Sequence, residues 1–168
     1  MPVKPKKFRR RRPSGELTIE QSHETGTAAS ILDATALIIA NDTVACGGCL
    51  LVAYLGDEPV GLAALVTEVD SGLIRLMFVS AKMRGHRVGH SILSAVRDAA
   101  HTRGARQLYA AVQDDVAEYF TRMGFGETQH YELAMAFGQT MLERLGCNHL
   151  TGYRVLRLDL SSYGVIER

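Results

Sequence analysis

Between Cys49 and Val79 the sequence holds three β-type runs separated by only two turn signals, and that spacing is the tightest constraint on the fold. Cys49 to Leu55 is followed by Gly56-Asp57-Glu58-Pro59, and Val60 to Val69 by Asp70-Ser71-Gly72. Leu73 to Val79 completes the set. Connections this short join antiparallel neighbours, because a parallel crossover needs a dozen residues or more. Then the period changes. Val88, Ile92, Val96 and Ala99 or Ala100 recur at helical spacing up to about Arg103, with Gly104 placed to end the helix. Arg106 to Val112 returns to strand, and Asp114 or Asp115 is placed to cap a short helix, Val116 to Met123, closed by Gly124. Antiparallel strands followed by strand–helix–strand–helix–strand define an α/β protein. Its expected architecture is a mixed, mostly antiparallel central sheet flanked by helices.

The flanking segments extend that pattern. Glu16 to Gln21 alternates as a short strand, and Ser22 is placed to cap the helix after it. Thr27 to Ala40 carries Ile31, Ala34, Leu37 and Ile38 at helical spacing, as one broken helix or two short ones. Glu132 to Leu145, with Leu133, Phe137, Met141 and Leu145 four apart, reads as a helix closed by Gly146. Tyr153 to Leu160 alternates as the last strand. With 46% hydrophobic residues in 168, residues 16–168 suffice for one core. The longest apolar runs, Ala34–Ala40 and Val60–Val66, fall far short of the ~20 residues of a membrane span. Three cysteines argue against a disulfide scaffold, so a cytoplasmic setting is expected.

The net charge of +1 conceals a split. Lys4, Lys6, Lys7 and Arg9 to Arg12 are all basic, and no acid precedes Glu16. Taking those seven charges away leaves the rest of the chain at about −6. Pro2, Pro5 and Pro13 punctuate this stretch, so residues 1–15 read as a disordered basic tail. No apolar region follows the basic run, which excludes a secretory signal reading. Residues 4–12 suit a polyanion partner, or serve only as a solvated arm.

Chemistry concentrates where strand gives way to helix. Phe78 and Val79 end a strand, Ser80 to Arg87 form a short basic loop, and a helix opens at Val88-Gly89-His90. This order aims unpaired backbone N–H groups and the positive end of a helix dipole at one spot, which suits phosphate. Gly85 and Gly89 allow close approach, while Arg84, His86, Arg87 and His90 supply contacts or charge.

Arg84-Gly85-x-x-Val88-Gly89, followed by Ile92 and Leu93, resembles the acetyl-CoA pyrophosphate loop of the GNAT superfamily of N-acetyltransferases. Gly104-Ala105-Arg106 leading into a strand, and Tyr119-Phe120-Thr121-Arg122-Met123-Gly124-Phe125, resemble later segments of that family in the same order. The resemblance covers roughly residues 48 to 126. It implies acetyl-CoA as co-substrate, with Phe78, Val79, the loop from Arg84 to His90, and Phe120 about it. It also implies direct attack by a primary amine of a small molecule, an amino acid among the candidates, on the thioester. Other readings are a protein or peptide acetyltransferase, and an acyl-CoA-binding module without catalysis. A homodimer is compatible with all of them.

Three positions depart from the family pattern. Arg87 replaces its middle glycine, Phe120 stands where many members carry a tyrosine acid, and Leu73 where many carry a glutamate base. Glu68, Asp70 and Glu118 are then the candidate bases, and Tyr119 the candidate acid, although it leaves the helix about 100° from Phe120. Arg75, in an apolar strand and with the parity of Leu73, Met77 and Val79, needs an anionic partner. That partner is a substrate carboxylate, as the resemblance to amino-acid N-acetyltransferases implies, or an internal Glu68, Asp70 or Asp114. Cys46-Gly47-Gly48-Cys49 and Cys147-Asn148-His149 contain zinc-ligand types, but nothing in the sequence places them together, and no metal is expected.

Overall fold

The computed structural model describes residues 15–147 and 152–163, apart from the side chain of Thr27. The tail ahead of Gly15, expected to be disordered, and His149 lie outside the described residues.

Seven strands form one sheet in the order β1-β2-β3-β4-β5-β7-β6. Strands β1 (Leu17–Ser22), β2 (Cys49–Leu55), β3 (Glu58–Glu68) and β4 (Ser71–Val79) pair antiparallel in succession. β5 (Gln107–Gln113) lies parallel to β4, and β7 (Tyr153–Asp159) then runs antiparallel to β5 and to the short β6 (Gly126–Thr128). The mixed, mostly antiparallel sheet is the expected one. β2 and β3 are buried on both faces, which explains their nearly continuous apolar sequence.

One face packs against α2 (Val88–Thr102) and α3 (Asp114–Arg122), where Ile92, Leu93, Val96 and Phe120 meet Leu51, Ala63, Leu65, Ile74 and Leu108. On the other face, α1 (Ala34–Ala45) lies over Leu50, Val52, Leu62 and Ala64. Beside it α4 (His130–Phe137) and α5 (Gln139–Arg144) lie over Val66, Leu73, Tyr109 and Val155. No helix among the described residues is long and apolar enough to cross a membrane.

β4 contains the decisive irregularity. Leu65 pairs with Ile74 and Ala64 with Leu76, so Arg75 is an extra residue on the β4 side, a bulge. Parity along β4 therefore changes there. Leu73 faces the α5 side, whereas Met77 and Val79 pack on the α2 side, so the single parity expected for Leu73, Arg75, Met77 and Val79 does not hold. The bulge also marks the end of the parallel pairing: β4 and β5 pair only over Ser71–Ile74 and Gln107–Ala110, and beyond that they part.

Several local readings differ from the sequence pattern. The expected helix from Glu132 to Leu145 is two helices, because Gly138 takes φ +78° between them. Thr27 to Ala40, by contrast, divides as expected, into a 3-10 turn, Gly26–Ile31, and α1. The cap of α1 is Asp33, whose carboxylate accepts from the Ala36 N–H at 2.8 Å, and not Ser22. α1 buries Ala36, Ala40 and Thr43, and Ile38 points outward at 61% exposure. The β3–β4 turn is Val69-Asp70, with Val69 at φ +51°, one residue earlier than the glycine suggested. Strand β6 carries no sequence signal, since three residues are too few to show alternation.

Gly61 is where α2 closes on the sheet. A Cβ there would lie 2.8 Å from both the Phe78 carbonyl oxygen and Ile92 Cδ1. Gly61→Ala is therefore expected to destabilise the protein by about 1–3 kcal/mol, the usual range for overpacking, seen as a lower urea midpoint at unchanged slope.

Candidate active site

β4 ends where the Ser80 N–H makes the last bond to the Val60 carbonyl, at 2.8 Å. A 3-10 turn, Ala81–Met83, comes next, anchored by the buried Met83 side chain and by an ion pair from Lys82 to Glu58 at the start of β3. Arg84 Nε donates back to the Val79 carbonyl at 3.4 Å. Gly85 at φ +82° and Arg87 at φ +62°, ψ +18° then turn the chain into α2.

The left-handed conformation at Arg87 explains why a glycine suits this position. It costs an L-residue roughly 1–2 kcal/mol. It also leaves the Arg87 side chain exposed. No side chain caps the first turn of α2, so its N–H groups are available to an anion.

Beyond the bulge, the parted strands leave an open cleft of about 670 Å3. Met77, Phe78 and Val79 form one wall, Met83 to Gly85 and Arg87 to His90 the rim, and Asp115, Val116, Tyr119 and Phe120 the opposite wall. The structure thus brings together Phe78, Val79, Arg84, Gly85, Arg87, Val88, Gly89, His90, Tyr119 and Phe120. His86 borders an adjoining groove with Leu17 and Leu55. Met77, Met83, Asp115 and Val116 also line the cleft. No sequence motif marks these four, since only the parting of the strands exposes them to it.

The adjacent aromatics divide their roles. Phe120 is 1% exposed and stacks edge-on against Phe125 at 5.2 Å, as a core residue under the cleft. Tyr119 is only half-buried as a residue, yet its hydroxyl is fully enclosed and has no hydrogen-bond partner. That hydroxyl lies 3.3 Å from where a Gly89 Cβ would stand, and Met77 Cε lies equally close. Burial pushes the Tyr119 hydroxyl above its ordinary range, with Arg97 and Arg122 partly opposing the shift. The group is neutral at physiological pH.

Other candidates fall elsewhere. Glu68 and Asp70 stand at the opposite end of β4 from the loop, beyond eight residues or about 26 Å of strand. Glu118 is exposed and outside the cleft lining. Arg75 projects toward α5, where Nη2 donates to the Leu145 carbonyl at 3.2 Å and a buried Nε has no partner. None of the described ion pairs joins it to Glu68, Asp70 or Asp114. Cys49 packs on the α2 face, while Cys46 and Cys147 share the cluster beneath α5, so the C-x-x-C pair is split by the sheet. Among the described residues no three potential metal ligands converge.

Comparison with known proteins agrees with this geometry. Residues 46–127 match the family model for the acetyltransferase (GNAT) domain. No curated protein matches significantly. Among solved structures, N-acetylglutamate synthase from Neisseria gonorrhoeae, complexed with coenzyme A and N-acetyl-glutamate, superposes with a TM-score of 0.66 at 21% identity. The match covers 88% of this chain and 36% of that one, so the chain spans about a third of the synthase. A GNAT acetyltransferase from Staphylococcus aureus Mu50 gives 0.65 at 17% identity, over 86% of this chain and 99% of that one. One from Elizabethkingia anophelis with acetyl-CoA bound gives 0.65 at 16%, over 86% and 98%. Over residues 46–127 the chain matches the GNAT acetyltransferase domain, and its fold is the one these acetyltransferases share.

The strain at Arg87 is directly measurable. Arg87→Gly is expected to be more stable than Arg87→Ala by about 1 kcal/mol in chemical denaturation, because both remove the charge and only glycine relieves the backbone. Equal stabilities would mean that the loop is not left-handed at this residue.

Proposed function

We propose that the protein transfers the acetyl group of acetyl-CoA to the primary amine of a small acceptor, with both substrates held together in the cleft. The observation that carries this reading is the enclosed, unpartnered Tyr119 hydroxyl beside the uncapped first turn of α2. A phosphate-binding helix end and an idle neutral donor in one cleft fit a thioester with a pyrophosphate tail. Acetyl-CoA supplies an acyl group activated as a thioester.

The chain's own groups then have distinct tasks. The loop N–H groups, Arg84 and Arg87 hold the pyrophosphate, fixing the thioester in the cleft. A backbone N–H near Phe78 to Val79 meets the carbonyl oxygen as the amine attacks and negative charge develops. Tyr119 donates a hydrogen bond to the departing sulfur. The acceptor ammonium loses its proton to solvent at the open mouth, where Asp115 is the acidic side chain of the lining, since Glu68 and Asp70 stand too far away.

The acceptor reading is an amine that also carries a carboxylate, such as an amino acid. Arg75 is the supporting residue: a cation at the sheet centre, close to where the strands part, with its Nε unsatisfied. An unpaired half-buried guanidinium favours an anionic ligand. The likeness in fold to a synthase holding N-acetyl-glutamate supports the same reading.

Two measurements test these roles. Tyr119→Phe is expected to lower kcat about 10- to 100-fold, the value of a hydrogen bond to a charged group, with KM for acetyl-CoA changed less than threefold. Release of free thiol with a panel of amines reads it, and an unchanged kcat removes Tyr119 from the mechanism. Arg75→Ala is expected to raise KM for an amino-acid acceptor about tenfold or more. A lowered melting temperature with unchanged KM would make Arg75 a brace for α5 instead.

A further inference from the structure

The helix that carries Tyr119 has little of its own to hold it. α3 has nine residues, too few to persist alone, so contacts with the rest of the protein must fix it. No side chain caps its first turn, and only Ala117 and Phe120 are buried in the core. Two buried residues three apart give a single line of contact, about which a helix can still roll. That roll matters, because Tyr119 leaves the helix about 100° from Phe120 and its hydroxyl must reach α2.

α2 supplies the missing restraint from one stripe. Gly89, Leu93 and Arg97 lie four apart and share a face. At the start of that stripe the Tyr119 hydroxyl lies 3.3 Å from where a Gly89 Cβ would stand. About two turns on, Arg97 Nη2 donates to the carbonyl of Met123, the residue that ends α3. The C-terminus is the negative end of a helix dipole, so a guanidinium is the suited partner. The rest of the Arg97 environment is costly. Arg97 is half-buried, its Nε is enclosed without a hydrogen-bond partner, and none of the described ion pairs joins it to a carboxylate. A side chain serving stability alone would avoid both the orphaned donor and the unpaired charge, since an apolar residue of similar length carries neither. The Arg97 charge also partly offsets the effect of burial on the Tyr119 hydroxyl, and a nearby cation makes a phenol a readier hydrogen-bond donor.

We propose that Arg97 is a positioning residue for the acyl transfer: by gripping the end of α3 it fixes the roll of that helix, and so holds the Tyr119 hydroxyl against the first turn of α2. Arg97 is not among the residues that line the cleft, so it acts through Tyr119 and not on either substrate. This rests on the reading of Tyr119 as the donor to the departing sulfur. Loss of Arg97 then lowers turnover and leaves cofactor binding, made by the loop, intact.

Thiol release from acetyl-CoA is measured with the most active amine of the panel. Arg97→Met keeps the stem and removes the grip. It is expected to lower kcat about tenfold, with KM for acetyl-CoA changed less than about threefold. Arg97→Lys keeps the charge and one donor, which suffices for a single hydrogen bond, and is expected to hold kcat within about threefold of the unaltered protein. The deciding comparison is the double variant. With Tyr119→Phe already present, Arg97→Met is expected to change kcat less than about twofold, because a residue that acts through another has nothing left to act on. A further tenfold loss in the double variant, an unchanged kcat in Arg97→Met, or a lysine variant as slow as the methionine one overturns the role of Arg97 and leaves Tyr119 in place. If Arg97→Met does not fold, Arg97→Gln takes its place in the same comparisons. An unchanged kcat in Tyr119→Phe overturns the Tyr119 reading and this role with it, and thiol release with no amine overturns the transferase reading as well.

Discussion

Everything at the site depends on one residue too many in β4. The bulge at Arg75 stands at the point where the pairing of β4 with β5 ends. That pairing stops after four residues, and the separated strand ends leave polar backbone facing a cleft instead of a neighbour. Backbone N–H and C=O groups in a sheet interior must be satisfied, so a strand edge exposed there is a place for a ligand to bond. The same bulge swings Met77 and Val79 toward α2 and leaves Arg75 facing α5. One backbone irregularity thus sets the hydrophobic wall of the cleft on one face of the sheet and the central cation, at the point where the strands part, on the other.

The loop after β4 keeps its shape at a cost in conformational energy. Two left-handed residues, Gly85 and Arg87, sit on either side of His86, and the second has a side chain. Packing of Met83 and the Lys82–Glu58 pair hold the loop in this shape. An exposed ion pair contributes at most about 1 kcal/mol, so the buried Met83 and the start of α2 supply most of the restraint. Gly89 lets the helix start approach Met77 and Tyr119 closely, which sets the tyrosine hydroxyl beside the first turn of α2.

Much of this is legible in the chain. The short turns after Leu55 and Glu68 require antiparallel strands, and the change to helical period at Val88 marks the loop. Arg84, Gly85, Val88 and Gly89 resemble the family's phosphate loop in residue type and spacing alone. The acid–base assignments are less legible. Tyr119 and Phe120 are neighbours in sequence, and only the tilt of α3 decides which ring enters the core and which hydroxyl reaches α2. Glu68 and Asp70 precede the central strand in sequence yet stand at its far end, because a strand carries its two termini about 26 Å apart. The four-residue spacing from Leu133 to Leu145 hides the break at Gly138, since two short helices in line preserve the same spacing.

The sequence by itself determined the elements that local rules govern: turn-linked strands, the glycine-bearing loop, the helix after that loop, and the separation of a basic arm from an acidic body. Hydrophobic period, turn chemistry and charge are properties of near neighbours along the chain. Tertiary structure alone decided the bulge at Arg75, the burial of Phe120 against the availability of Tyr119, the separation of Cys46 from Cys49 across the sheet, and the arrival of Leu17 beside the loop. Each of these depends on register between strands far apart in sequence, where a shift of one residue reverses every side chain and no local pattern records it.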